Sequence, residues 1–470
     1  MSKKEERRLL FKHASTILVG QLAVMAFSIT DTLVAGRYAQ RALAALSVGS
    51  AVFVSVFIAL MGVLQSLLPT LAEMHGAQKP LEVGRQFRQG LYLLMGTSVL
   101  GVGLLLSPGL ILSWTHVPDG LRADVTQYLS VLAMGLPLAL FFRMFSTLNQ
   151  SLGRPKLVTW VQLAGLLAKI PLSIAFTFGF LGTEPLGVVG CAWATFVVNA
   201  WMVLLGLYLL RTQELYRPYR IWQRLERPDP KRLWSLLRLG VPNALSVTVE
   251  VTSFTLMALF IARQGTVNAA AHQITSSTAA LLWMTPMSFS IATSARVSFW
   301  LGAKDPVKAR MVMQQGFLCI WSTAAVLSLV MFTLSPEIAK LFSTHPEVSS
   351  TAAGVLVWLS LYHWGDATQV MCFFNLRCYK ITVLPVLIYG VLLWGVGLMG
   401  GYQLAYEGLP LLGLEAMPSP KTFWLTSSVA VLSSSATMYA VLQWVSRRKI
   451  RLAREPDTID ATHLAPTPTP

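Results

Sequence analysis

Charged residues are scarce in this chain. Of its 470 residues only 12% are Asp, Glu, Lys or Arg, about half the share found in ordinary globular proteins. Its four cysteines share no metal-ligand spacing and form no recognisable disulfide framework. Apolar residues take the place of charge: 54% of the chain is hydrophobic, and the mean hydropathy is +0.58. This balance excludes a soluble enzyme.

Apolar runs recur along the whole chain. Each is long enough to cross a bilayer core of about 30 Å as a helix, whereas the strands of an outer-membrane barrel would alternate over about 10 residues. We therefore predict an all-α polytopic membrane protein with twelve transmembrane helices. They lie near residues 9–36, 42–73, 88–113, 122–149, 155–180, 186–210, 231–262, 267–300, 312–335, 347–376, 380–403 and 421–445.

The 37 Lys and Arg residues are distributed unevenly between the two sides of the predicted bundle. With the N-terminus inside, most fall at the start of the chain, in the even-numbered loops and in the tail, and the largest basic loop is 211–238. Positive residues stay on the cytoplasmic side of an inserting chain, so both termini are predicted to be cytoplasmic in a bacterial plasma (inner) membrane. The net charge of +16 then follows from topology, and no nucleic-acid partner is expected.

An internal repeat divides the chain into halves. At an offset of 226 residues, 42–90 align with 268–316 without a gap, and nine of the 49 positions are identical. Six helices per half give both halves the same orientation, so they are parallel pseudo-repeats, and internal repeats are typical of secondary transporters. The clearest matches are Gly76-Ala77-x-x-Pro80 with Gly302-Ala303-x-x-Pro306, and Gln89-Gly90 with Gln315-Gly316.

The repeat predicts four parts of the chain. These are an N-lobe over 1–210, a basic cytoplasmic linker over 211–230, a C-lobe over 231–445 and a cytoplasmic tail over 446–470. The tail ends in Pro-Thr-Pro-Thr-Pro and is predicted to be disordered. Since one chain holds both lobes, it is expected to function as a monomer in the lipid bilayer.

Three acidic residues fall inside predicted helices: Asp31 in the first, Glu250 in the seventh and Asp366 in the tenth. An ionised side chain at the bilayer centre costs about 2.5–3.5 kcal/mol on insertion scales, so each should face a protein interior or a wet cavity. At the repeat offset Met257 stands opposite Asp31. The halves are therefore predicted to carry chemically different sites.

Tyr362, Asp366 and Gln369 share one face of the tenth helix, because they are spaced by four and three residues. Carboxylate and phenol oxygens are hard ligands, so Glu250, Asp366 and Tyr362 are candidates for a sodium or proton site. The alternative is structural: Tyr362 caps a buried protonated Asp366, and Glu250 bonds to a neighbouring helix.

Three basic residues also lie in apolar runs. Lys169 is midway along the fifth helix, too deep to snorkel easily, and it needs a partner or must be neutral. Arg143 and Arg296 lie nearer a cytoplasmic loop, and snorkelling or helix-end bonding is the expected explanation.

Two of the 14 tryptophans, Trp283 and Trp364, lie in the helices near these carboxylates. An aromatic face beside intramembrane carboxylates suits organic cations. The alternative for each is ordinary packing.

In order and spacing, a set of motifs resembles the multidrug and toxic compound extrusion (MATE) family, in its NorM-like bacterial branch. The similarity runs through essentially all twelve helices, and no single motif is decisive. The motifs are Ile29-Thr30-Asp31-Thr32, Leu43-Ala44-Ala45-Leu46-Ser47, Gly76-Ala77, Ile170-Pro171-Leu172, Gly187 through Thr195, Glu250-Val251-Thr252, Ala270-Ala271-His272-Gln273, Tyr362 through Asp366 and Leu376 through Lys380.

The resemblance implies two six-helix lobes around a central V-shaped cavity, alternating access, and antiport of drugs against sodium ions or protons without a cofactor. Carried over by position, it implies a C-lobe cation site of Glu250, Tyr362 and Asp366, and an N-lobe carboxylate, Asp31, that binds sodium or a proton. Candidates for the drug cavity are Trp283, Trp364, Gln273, Lys169 and Gln369.

The fifth helix departs from the family pattern. Members commonly read Asn-x-Pro-Leu-Asn where this chain has Lys169 and Ser173 at the two amide positions. We hypothesise that Lys169 pairs with Asp31, the arrangement that best removes an uncompensated buried charge. The C-lobe carboxylates would then be the working ion site.

The preferred function is a cation-coupled exporter of cationic or amphipathic organic molecules. An alternative keeps the fold but moves lipid-linked precursors, which would require several basic residues in the cavity, where Lys169 is the one clear candidate. An enzyme is not expected, because the chain contains no His-Glu-x-x-His, no Gly-x-Ser-x-Gly and no Walker-type loop.

Overall fold

The twelve predicted transmembrane segments are found as twelve long helical stretches. A computed structural model describes residues 2–107, 119–180, 184–408, 413 and 415–454. The stretches are α1 (Lys3–Tyr38), α2 (Gln40–Gly76), α3 (Pro80–Leu105), α4 (Asp119–Ser151), α5 (Pro155–Phe178), α6 (Val188–Thr212), α7 (Pro230–Ala262), α8 (Thr266–Gly302), α9 (Pro306–Thr333), α10 (Pro346–Cys378), α11 (Val383–Tyr406) and α12 (Pro420–Arg454).

Nine of the helices in the described part of the chain are long and apolar enough to cross a membrane. The other three, α3, α8 and α10, have similar lengths but carry more polar side chains. Helices α8 and α10 pack against each other, and most of the polar residues in the second half of each helix are buried. Their polar side chains therefore face protein rather than lipid, as intramembrane polar residues generally do.

Proline and aspartate mark several helix starts. Proline is the first residue of α3, α5, α7, α9 and α10, where its missing N–H costs no helical hydrogen bond. Asp229 caps α7 by accepting from the N–H groups of Lys231 and Arg232, and Asp305 caps α9 by accepting from that of Lys308. Helix α5 follows Arg154 and has no side-chain cap.

Two apolar cores give the molecule two lobes. One core draws its residues from α2 to α6 with the end of α1, and the other draws them from α7 to α12. Helix α1 belongs to both: Val34 and Ala35 lie in the first core, whereas Leu10 and Ala14 lie in the second. The first half of α1 thus packs against α8 of the C-lobe, and the division at residue 210 stays a prediction from the repeat.

The two lobes contact each other where α2 ends at Gly76 and α8 ends at Gly302, which are equivalent positions in the two repeats. A Cβ atom at Gly76 would overlap the backbone of Phe299, and one at Gly302 would overlap the backbone of Glu73. Residues 73 and 299, like 76 and 302, are related by the repeat offset of 226. The two contacts are therefore the same contact made twice, about a pseudo-two-fold axis. We call this the crossing end of the bundle.

Both loops at the crossing end also have the same backbone form. The helices end at Gly76 and Gly302, and Gln78 and Lys304 follow in the left-handed region at φ 57° and 59°. The next helices then begin at Pro80 and Pro306. The repeat seen in sequence is thus a repeat of local structure.

Two ion pairs add to the contact between the lobes. The Glu6 carboxylate is fully buried and accepts from Arg296 at 2.5 Å and from the Trp300 indole at 3.2 Å, which joins α1 to α8. Lys380 lies 3.3 Å from Glu73. Snorkelling or helix-end bonding was expected for Arg296, and the structure adds a partner that the sequence analysis did not name, the Glu6 carboxylate of α1.

Arg143 lies eight residues before the end of α4 at Ser151. Its side chain is buried, and its Nε and Nη2 atoms have no hydrogen-bond partner among the described residues.

The basic linker docks on the N-lobe. Arg88 of α3 donates to the Glu226 carboxylate at 2.5 and 3.0 Å, and Gln89 and Tyr92 donate to the carbonyls of Arg227 and Glu226. The hydrogen bonds from Arg88 hold the pKa of Glu226 below its usual range. This pair therefore stabilises the docked linker above the unfolded-state pKa of Glu226, and its contribution is lost as the pH falls through the folded-state pKa.

Helix α12 runs to Arg454, so the tail that was predicted to be disordered from residue 446 begins as helix. Arg451 and Arg454 lie in the last turn, where positive charge interacts favourably with the negative end of the helix dipole. The remainder of the predicted tail, 455–470, lies outside the described residues.

We predict that Gly76→Ala and Gly302→Ala each lower the free energy of unfolding by about 1–3 kcal/mol, because each added methyl group meets backbone and forces the lobes apart. Thermal unfolding in detergent measures the change. Gly96→Ala in α3 is the matched control, since nothing lies within 4 Å of its Cβ position. Equal melting temperatures for the three variants would contradict the crossing as described.

Candidate functional site

The two C-lobe carboxylates lie close together. Glu250 of α7 is half-buried and Asp366 of α10 is 5% exposed, and their charges interact directly. No ion pair in the described part of the chain includes either one. Two neighbouring carboxylates without a cation from the protein repel each other, so the pair favours binding of a proton or a small cation.

Two tyrosines complete the polar side of this site. Tyr362 lies one turn before Asp366 on the same face of α10, and Tyr389 of α11 interacts electrostatically with both carboxylates. Both phenol oxygens are buried and have no hydrogen-bond partner among the described residues. The structure thus brings Glu250, Asp366 and Tyr362 near one another and adds one further phenol oxygen, that of Tyr389.

Tyr389 was missed by the sequence analysis. It lies in the apolar run Leu387-Ile388-Tyr389-Gly390, and an intramembrane phenol is the only signal there. Its relevance depends on which face of α11 meets α10, and neither spacing nor composition gives that information.

Gln369 lies on the same helix face as Asp366 and is 2% exposed. Its side-chain oxygen accepts from the Ser434 hydroxyl of α12 at 2.5 Å. This hydrogen bond links α10 to α12, so Gln369 holds α12 against the helix that carries Asp366.

Aromatic rings border the carboxylates. Phe254, Tyr362 and Trp424 pack edge to face, with ring centroids 5.5 to 6.1 Å apart. The Trp424 indole donates to His272 Nδ1 at 3.2 Å, which fixes its orientation. Sequence reasoning missed Phe254 and Trp424, because the contact joins three helices that are distant in the chain.

The tryptophans chosen from sequence do not lie in this ring cluster. Trp364 is 37% exposed and is two residues from Asp366, about 200° around the helix, so the structure does not bring it to the carboxylates. Trp283 packs half-buried against the C-lobe core. Gln273 is exposed on α8, and its amide lies 3.5 Å from the Ser277 hydroxyl.

The N-lobe site has a different chemistry. Lys169 is fully buried, and its Nζ lies 2.7 Å from Asp31 Oδ1, the pairing that the sequence hypothesis predicted. The ammonium also donates to the Thr195 hydroxyl at 2.6 Å and to the Cys191 carbonyl at 3.1 Å. The Ser173 hydroxyl donates to Asp31 at 3.1 Å.

This network satisfies both charges from within the protein. Three N-lobe helices contribute: α1 carries Asp31, α5 carries Lys169 and Ser173, and α6 carries Thr195. An ammonium group occupies the place beside the carboxylate that a bound cation would take. The molecule therefore has one carboxylate site neutralised by its own lysine and one without a protein cation.

Most of the chain is similar in sequence to proteins of one family. The sequence model of the MatE family matches residues 16–175 and 242–403. A probable multidrug resistance protein NorM from Aromatoleum aromaticum is 36% identical over 439 residues, which cover 93% of this chain and 94% of the relative. A protein of the same name from Neisseria meningitidis serogroup B is 31% identical, with 95% and 96% covered.

Solved structures have the same fold. The crystal structure of the eukaryotic MATE transporter AtDTX14 superposes with a TM-score of 0.84 at 18% identity, covering 96% of this chain and 99% of that one. The Vibrio cholerae MATE transporter VcmN in its bent form gives 0.83 at 16% identity, with 96% and 99% covered.

We predict strong coupling between Asp31 and Lys169 in a double-mutant cycle. Lys169→Met alone should cost about 3–5 kcal/mol of unfolding free energy, because it leaves a buried carboxylate unpaired. The double variant Asp31→Asn/Lys169→Met should cost much less than the sum of the single changes. Unfolding in detergent gives all four values, and additivity within about 0.5 kcal/mol would mean that the pair does not interact.

Proposed function

The chain belongs to the MatE family of multidrug and toxic compound extrusion transporters, and we propose that it is a secondary active exporter that exchanges organic cations for sodium ions or protons. Membership of a transporter family makes it an integral membrane protein and not an enzyme. Relatives named as multidrug resistance proteins support multidrug efflux as its activity. No cofactor is needed beyond the coupling ion.

The observation that carries the proposal is the contrast between the two carboxylate sites. Lys169 neutralises Asp31, so the N-lobe carboxylate is already paired within the protein. Glu250 and Asp366 repel each other, and no ion pair among the described residues includes either of them. We therefore assign coupling to Glu250 and Asp366 with Tyr362 and Tyr389 as oxygen donors, whichever of sodium or the proton is bound.

The proposed substrate class, organic cations, follows from the aromatic side chains near Glu250 and Asp366. The aromatic cluster of Phe254, Tyr362 and Trp424 stands beside the carboxylates. Aromatic faces attract cations and apolar rings bind the hydrophobic body of an amphipathic molecule. A drug cation and the coupling ion would compete for the carboxylates, and this competition provides the differential affinity that moves the protein between its two states.

The orientation of the protein in the membrane is inferred from the distribution of its positive charges. The N-terminus, the basic linker and both crossing loops lie at the crossing end, and by the positive-inside rule this end is cytoplasmic. The lobes are joined there, which supports an arrangement open toward the outside of a bacterial inner membrane. One chain contains both lobes, so a monomer suffices.

The lipid-linked alternative requires several basic side chains in the central cavity, and Lys169 was the candidate from sequence. Lys169 is fully buried and paired with Asp31, so it is not free to bind a pyrophosphate group.

We predict that Glu250→Gln and Asp366→Asn each reduce gradient-driven efflux of an ethidium-like cation to the level of empty liposomes. Sodium and pH gradients are imposed separately in proteoliposomes, which identifies the coupling ion. Glu347→Gln is the control, because Glu347 is an exposed carboxylate on the same helix as Asp366.

Two results would contradict this assignment. If the wild type moves no organic cation under either gradient, export of drugs is wrong and lipid-linked cargo becomes the leading candidate. If Asp31→Asn abolishes coupled transport while Lys169→Asn leaves transport and its pH dependence unchanged, the N-lobe carboxylate is the working site and the role given to Lys169 is wrong.

A further inference from the structure

A large cavity lies between the lobes at the crossing end. Its volume is about 860 Å³. The N-lobe side of its wall is formed by α1, by the turn 153–157 that begins α5 and by the start of the linker, and the C-lobe side is formed by residues 292–299 of α8. We call it the basic pocket. None of its lining residues belongs to the carboxylate site, so the two sites are separate.

The charge of the basic pocket is of one sign. Lys12, Arg154, Lys156 and Arg296 line it, and none of the described lining residues is acidic. Arg296 is neutralised by Glu6, but no ion pair among the described residues includes the other three. His13 lines the pocket with these cations and interacts electrostatically with Lys12, Arg154 and Arg296 as well as with Glu6.

The positive end of a helix adds to this charge. Helix α5 begins in the wall, and Gly153 through Leu157 all line the pocket. No side chain caps this helix, and the first N–H groups of a helix need acceptors from outside it. Uncapped helix N-termini bind phosphate and other anions.

A second pocket provides an internal comparison. It lies on the other side of the crossing, has a volume of about 910 Å³ and is also rich in Lys and Arg. It carries its own anions, because Glu73, Glu82 and Asp229 line it. Arg232 pairs with Glu82 at 2.7 Å, and Asp229 caps α7. The basic pocket has cations and a helix start, but none of its described lining residues is acidic, and the carboxylate beside it, Glu6, is bonded to Arg296.

We propose that the basic pocket binds a phosphate-bearing anion, which supplies the negative charge that Asp229 and Glu82 supply in the second pocket. Lys12, Arg154 and Lys156 make charge-assisted contacts to the phosphate oxygens, together with the start of α5. Because both lobes form the wall, the bound anion holds them in this arrangement and stabilises the protein by mass action. Binding at this site does not depend on the transport activity proposed above.

The phosphate has two possible sources with the same chemistry. Basic pockets between transmembrane helices on the cytoplasmic side bind anionic lipid headgroups, and Leu9, Ile17 and Leu157 give this pocket an apolar side. A soluble phosphate compound would use the same cations without the apolar side.

The test measures the melting temperature of the full chain in detergent. Phosphatidylglycerol is titrated against phosphatidylcholine, and inorganic phosphate is titrated against chloride at constant ionic strength. The pocket variant is Arg154→Gln/Lys156→Gln, since both side chains are exposed and the fold should tolerate their change. Lys79→Gln/Lys231→Gln removes the same charge from the second pocket and is the matched control.

We expect the wild type and the control to be stabilised by one of the two phosphate sources, and the pocket variant to need about tenfold more of it for the same shift. Stabilisation by phosphatidylglycerol alone identifies the lipid headgroup, and stabilisation by inorganic phosphate as well identifies a soluble phosphate. The proposal is wrong if the pocket variant responds as the control does, or if neither source stabilises the wild type more than its neutral or chloride counterpart.

Discussion

A charge inside the hydrocarbon layer must be compensated, and this constraint organises the functional part of the molecule. Burying an ion costs several kcal/mol unless a partner of opposite sign is present. The N-lobe meets the requirement internally, because Lys169 is 2.7 Å from Asp31. In the C-lobe, Glu250 and Asp366 lie near the buried phenols of Tyr362 and Tyr389, and no ion pair among the described residues includes either carboxylate. Two neighbouring carboxylates favour binding of a proton or a small cation, and the proposed coupling rests on this difference between the lobes.

The joining of the lobes follows from small residues at equivalent positions. Gly76 and Gly302 allow the two repeats to cross with their backbones in contact, and the pairs Glu6–Arg296 and Glu73–Lys380 lie around this crossing. The same end carries two pockets that are both net basic, but only the second one has carboxylates among its lining residues.

Secondary structure and most of the architecture were predictable because the membrane imposes simple rules. Long apolar runs must be helices, since backbone groups have no other hydrogen-bond partners in lipid, and the repeat at 226 places the halves and their equivalent loops. The pairing of Asp31 with Lys169 was also predictable, because each is a charge that needs a partner and both lie in the same lobe. The partner of Arg296 was not predicted, since Glu6 lies about 290 residues away in the chain.

The sequence by itself therefore determined the membrane class, the twelve helices, the duplication and the position of the intramembrane carboxylates, because hydropathy, charge and periodicity are local properties. Tertiary structure alone decided which side chains join them. Tyr389 meets the carboxylates, Phe254 and Trp424 form the aromatic cluster, and Trp364 lies on another face of its helix. It also decided that α1 packs in both cores. These outcomes depend on how helices distant in the chain rotate and cross, and side-chain contacts between helices are not encoded in spacing along one of them.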